Sequence, residues 1–253
     1  LFILASILVS ISLLPLTLTK SIQPIPITSS KINILALWKM SSIATTGCLV
    51  VGLVGSTFWA LAPVFLRESG LNVKSLSFFM SAYIFGGAVA QYPIGFLSDR
   101  IDRRWVIALV TICAAGAEAI LVIFSGKTSD FWFLMMAFGL GAFSLCLYSI
   151  CVAQANDHTK EGDFVVVSGG LLVVFSIGAV LGPLTNSIAM LFITETYIIF
   201  VFSGIAHGAL GIFVLISIAK FSPIHPEERR EFVAVPLSRT GPDPIEFDPR
   251  IES

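Results

Sequence analysis

Seven stretches of this chain, roughly 1–19, 41–66, 76–97, 105–125, 132–154, 164–190 and 198–220, are apolar and almost free of charge. Each is long enough for an α-helix to cross a hydrocarbon layer of about 30 Å. A membrane-spanning β-strand needs only about ten residues and alternates in polarity, so the pattern predicts helices. The composition agrees: 12% of the residues are charged, where a soluble domain carries about 25%. The chain reads as an all-α integral membrane protein.

The charges that remain are placed unevenly. Lys20, Lys31 and Lys39 occupy the first connection, Arg67 and Lys74 the second, and Arg100, Arg103 and Arg104 the third. Lys127 and Lys160 follow singly, and Lys220, Arg229, Arg230, Arg239 and Arg250 close the chain. Assigned to alternate sides, the 15 cations divide 12 against 3. The positive-inside rule then puts the first connection, the Arg100–Arg104 loop and the C-terminal tail in the cytoplasm.

Several function classes drop out on composition. The net charge of −1 and the lack of basic clusters interleaved with aromatics offer nucleic acid no surface. Cys48, Cys113, Cys146 and Cys151 all fall inside apolar runs without a CxxC pair, and read as packing residues, not metal ligands. No HExxH, phosphate-binding loop or nucleophile–base grouping is visible, so no enzyme, cofactor or metal is expected. The chain opens on Leu1 inside an apolar run without a secretory signal pattern, and is taken as the C-terminal part of a longer protein.

Polar residues inside the runs are costly and are functional candidates for that reason. Glu118 lies seven residues from the outer end of the fourth run, about 10 Å deep, and His207 lies nine residues into the seventh, about 13 Å deep. The two can meet if their helices pack, forming either a structural hydrogen bond or a proton-carrying pair. Ser56, Thr57, Trp59 and Pro63 on the second run offer hydroxyls, a ring and a helix break. Tyr148, Ser149 and Gln154 on the fifth add polar contacts, and Gln91 on the third offers a helix–helix hydrogen bond. Each is equally at home as packing or as an interfacial anchor. Gly178 and Gly182 at GxxxG spacing let another helix approach, and Pro183 bends the axis.

The densest polar island is "GFLSDRIDRR", Gly95 to Arg104, between the third and fourth runs. Its glycine permits close backbone contact, Asp99 ends the run with a carboxylate suited to a neighbouring helix N-terminus, and Arg100, Arg103 and Arg104 can bridge carboxylates or lipid phosphates. The arginines could also do no more than set topology. The order of Gly, Asp and Arg resembles the signature loop of the major facilitator superfamily (MFS), G-x-L-x-D-R-x-G-R-R, with Asp102 where that family has Gly. "QYPIGFLSDR", "LYSICVAQAND" at 147–157 and "FDPR" at 247–250 resemble its YcaD-like branch.

The resemblance implies an MFS-type helical bundle in which these runs are helices six to twelve of twelve. Residues 1–19 would be the last helix of the N-terminal half, 20–40 a cytoplasmic linker, 41–220 the C-terminal six-helix half, and 221–253 a flexible cytoplasmic tail. The implied function is secondary active transport of a small solute by alternating access, coupled to an ion, with protons foremost. The partners would be the lipid bilayer, the small-molecule substrate, protons and the N-terminal half of the same protein. The implied location is the bacterial inner membrane. Gly95, Asp99, Arg100, Arg103 and Arg104 would latch one conformation. Ser56, Trp59, Tyr148 and Gln154 would face the substrate path, while Glu118 and His207 would sit on peripheral helices. The alternative is a transporter-like receptor or scaffold that moves nothing.

Overall fold

A computed structural model describes residues 2–18, 33–68, 72–124, 130–159, 163–193 and 197–220. Of the linker expected at 20–40, residues 20–32 lie outside the described residues, as does the flexible tail expected at 221–253. The chain divides into two compact units, Leu1–Lys31 and Ile32–Ser253. The first contains α1 (Phe2–Leu18), a 17-residue apolar helix. At 1.5 Å per residue it is about 26 Å long.

The second unit contains α2 (Ile34–Met40), α3 (Ser42–Glu68), α4 (Val73–Arg100), α5 (Arg103–Phe124), α6 (Asp130–Ser144), α7 (Leu147–Asn156), α8 (Phe164–Phe192) and α9 (Ile198–Lys220). No strand occurs among the described residues. Six spans in this unit are long and apolar enough to cross a membrane, with α6 and α7 together making one of them. The helix α2 occupies the end of the stretch expected to be linker. Asn33 starts it by accepting the backbone N–H of Ala36 at 3.1 Å, and Asn72 starts α4 by accepting that of Ser75 at 2.9 Å.

One expectation about helix breaks changes: Pro63 does not end α3, which continues to Glu68. Pro183 lies inside α8. The interruption falls instead at Leu145–Cys146, midway along the fifth span, where no proline stands.

Helices pack in three main pairs: α3 with α8, α4 with α6, and α5 with α9. Glycine makes the first two close. A methyl group on Gly178 would overlap the carbonyl oxygen of Leu49, and one on Gly182 would overlap that of Leu53, so α3 and α8 touch backbone to backbone. Gly141 meets the carbonyl of Tyr83 in the same way across α4 and α6. Such approaches supply dispersion contacts where lipid removes the hydrophobic drive for helix association.

The core falls into two clusters along the bundle. At the end carrying the Asp99–Arg104 loop, Cys48, Ile107, Leu147, Leu171 and Val214 pack together. Toward the other end, Phe58, Phe79, Tyr83, Leu140 and Phe200 do so. Phe58 and Tyr83 stack with ring centroids 3.9 Å apart. A small cavity beside Glu118 is walled in part by Phe58, Tyr83, Leu140 and Phe200 of this second cluster.

Candidate functional site

The loop between α4 and α5 is built by its carboxylates. The extended backbone of Ile101 ends α4, and Asp102 precedes the first residue of α5. Asp102 Oδ1 accepts the backbone N–H of Arg104 at 3.0 Å, which is an N-cap on α5. The Arg104 guanidinium folds onto the same carboxylate, Nη2 to Oδ2 at 2.7 Å and Nε to Oδ2 at 3.0 Å. The residue that departs from the family pattern thus caps the helix and pairs an arginine.

Arg103 joins two elements. Its Nη2 lies 3.1 Å from Asp99 Oδ1 on α4, and its Nε lies 3.0 Å from Asp157 Oδ2 just beyond α7. Asp99 is 71% exposed and Asp157 is 17% exposed, so the bridge to α7 is the better sheltered of the two. Arg100 stacks its guanidinium over the Phe96 ring, 3.9 Å from the centroid. Gly95 departs from expectation: a methyl group there would meet nothing within 4 Å among the described residues.

The predicted path residues each bond or pack locally. Ser56 returns its hydroxyl to the carbonyl oxygen of Gly52 at 2.7 Å. Trp59 is half-exposed and lies edge-on to Phe58 and Tyr83, with centroids 5.9 and 6.0 Å away. Tyr148 packs edge-on against Phe175 of α8 at 5.3 Å. Gln154 is buried near the C-terminal end of α7, whereas Gln91 is exposed on α4.

Glu118 and His207 do meet. His207 Nδ1 lies 3.0 Å from Glu118 Oε2, and each side chain is 1% exposed. The α5–α9 pairing brings them together, and Gly204, one turn before His207, leaves α9 close against the Glu118 side chain. A buried carboxylate held by an imidazole in a membrane helix bundle is a costly arrangement that can bind and release a proton. Beside Glu118 is a small cavity lined by Thr57 and Phe58 of α3, Tyr83 of α4, Ser144 of α6 and Ser203 of α9, among others.

Sequence reasoning missed Asp157, Ser144, Ser203 and Asn186. Asp157 had a signal, as the acidic residue closing "LYSICVAQAND" at the basic end of a run. Asn186 is fully buried on α8, with neither side-chain polar atom hydrogen-bonded among the described residues. Serines in apolar runs carry no distinguishing signal, since most simply bond back to their own helix.

A family model described as Major Facilitator Superfamily matches residues 44–245. The chain is 27% identical over 163 residues to the uncharacterized MFS-type transporter YcaD of Escherichia coli O17:K52:H18, covering 64% of this chain and 41% of that protein. The YcaD of Shigella flexneri is 26% identical over 181 residues, 70% of this chain and 46% of the relative. That of Escherichia fergusonii is 26% identical over 188 residues, 72% and 47% respectively. The chain spans about half the length of the curated relatives it matches.

Proposed function

Because the chain belongs to the Major Facilitator Superfamily, in its YcaD-like branch, we propose that it forms helices six to twelve of a proton-coupled secondary transporter that moves a small solute by alternating access. The register of the signature loop and the half-length match to the relatives support this assignment. On this reading 20–40 is the connection between halves, 41–220 the C-terminal half and 221–253 a cytoplasmic tail. The basic end of the bundle faces the cytoplasm of a bacterial inner membrane.

The observation that carries proton coupling is the Glu118–His207 pair, 3.0 Å apart and shut away from solvent. Breaking a buried pair by removing one partner costs about 3–5 kcal/mol, so a protein retains such a pair at a price in tolerance to mutation. Protonation of Glu118 weakens its hold on His207 and changes how α5 and α9 are joined, which couples proton binding to helix packing. The loop supplies the complementary device. Arg103 holds Asp99 and Asp157 through ion pairs at a wet surface, and such pairs can break and re-form as the halves rock. Ser56, Trp59 and Tyr148 contribute to the solute path as separate contacts along the α3 and α7 walls, with Gln154 a packing residue.

The test is a solute screen on the full-length protein in proteoliposomes under an imposed pH gradient. Gradient-driven flux of one solute, lost in Glu118→Gln, supports the reading. Solute flux indifferent to the gradient removes the coupling, and no flux of any solute favours a receptor or scaffold.

A further inference from the structure

The cavity beside Glu118 has room for about one water molecule. Its lining mixes five apolar side chains with Glu118 and the hydroxyl-bearing Thr57, Tyr83, Ser144 and Ser203, brought in by α5, α3, α4, α6 and α9. Ser144 is 9% exposed, and its hydroxyl has no hydrogen-bond partner among the described residues. Ser144 ends α6, where the fifth span is interrupted, and is one of the residues lining the cavity. Thr57 commits its own proton to the Leu53 carbonyl at 2.7 Å, so its oxygen remains free to accept. A polar site of this size with two to four partners is what a buried water requires.

We infer that one water occupies this cavity and links the Glu118–His207 pair to Ser144 and Thr57, forming the route by which protons reach the pair from the α3 side of the bundle. The inference rests on the proton-coupled reading above and gives that reading a path. An excess proton on the water passes to the Glu118 carboxylate, leaving a neutral water and a neutral carboxylic acid. Release runs the same transfer backwards. Ser144 and Thr57 orient the water and take no net charge. The titratable side chains facing Glu118 are His207 from α9 and Tyr83 from α4; the cavity residues from α3 and α6 are Val54, Thr57, Phe58, Leu140 and Ser144, none of them charged. The pair is therefore not sealed within peripheral helices, because the cavity opens it to α3, the helix carrying Ser56 and Trp59.

The experiment is pH-difference infrared spectroscopy on the full-length protein in lipid, with the Glu118 band identified by its loss in Glu118→Gln. Ser144→Ala should shift that band by weakening the water's hold on the carboxyl, and Ser144→Thr, which keeps the hydroxyl, should restore it toward the original position. Ser203→Thr, which adds a methyl group to the opposite wall, should displace the water and shift the same band independently. A Glu118 band that titrates but ignores both Ser144→Ala and Ser203→Thr overturns the water link and leaves proton coupling standing. A band that moves only when Na⁺ is replaced by choline overturns it in favour of a cation at the site. The absence of any titrating Glu118 band overturns the proton-coupled reading itself.

Discussion

His207 Nδ1 and Glu118 Oε2 lie 3.0 Å apart across two helices, 89 residues apart in the chain and each 1% exposed. The contact fixes the rotation of α9 against α5, since either side chain turned outward would leave the other unpaired in lipid. Replacing Glu118 by Gln keeps a hydrogen-bonding group but removes the titrating one. The variant should fold and lose pH-gradient-driven flux, while Glu118→Leu, which orphans the imidazole, should also lose stability. Thermal unfolding in detergent beside a flux assay separates the two effects.

Asp102 stands where the family pattern has glycine, and here it caps α5 and pairs Arg104. Asp102→Gly should destabilise this unit by about 1–2 kcal/mol, combining a small loss of capping with the loss of a largely sheltered ion pair. Asp102→Asn retains the cap and should lose less. Unfolding midpoints for the three proteins would give the order wild type, Asn, Gly.

The two partners of Arg103 should weigh differently. Asp99 is 71% exposed, so Asp99→Asn should change stability by less than about 0.5 kcal/mol. Asp157 is 17% exposed and ties the loop to α7, so Asp157→Asn should cost more. A double-mutant cycle with Arg103→Gln, run at low and high salt, should show the larger coupling and the weaker screening for Asp157.

Gly182 and Gly95 make an opposite pair. Gly182→Ala forces a methyl group into the Leu53 carbonyl and should lower the yield of folded protein through separation of α3 from α8. Gly95→Ala meets nothing within 4 Å and should leave stability within about 0.5 kcal/mol of wild type. If transport nonetheless falls in Gly95→Ala, the glycine serves the opposite conformation, where its helix face acquires a neighbour. Size-exclusion yield and flux on both variants read this out.

Much of this protein is local in origin and was therefore legible in order along the chain. The apolar runs set where helices lie, because a backbone in lipid must satisfy its own hydrogen bonds within one helix. The order Gly95, Asp99, Arg100, Arg103, Arg104 marked the loop and the superfamily, and GxxxG at Gly178 and Gly182 marked a surface for close approach. Even the depths of Glu118 and His207 could be counted from the run ends. What counting cannot supply is which helix faces which, and at what rotation. Pairing α3 with α8, α4 with α6 and α5 with α9 depends on side chains far apart in sequence fitting one another's grooves. That fit decided that Glu118 meets His207, that Arg103 reaches Asp157, and that Gln154 turns inward. It also opened the fifth span at Leu145–Cys146 without a proline and placed Ser144 in the wall of a cavity. The sequence alone determined the helices and their polar loop, because those follow from each segment's own chemistry in lipid. Only the tertiary structure decided the site, because a site is made where separate segments meet.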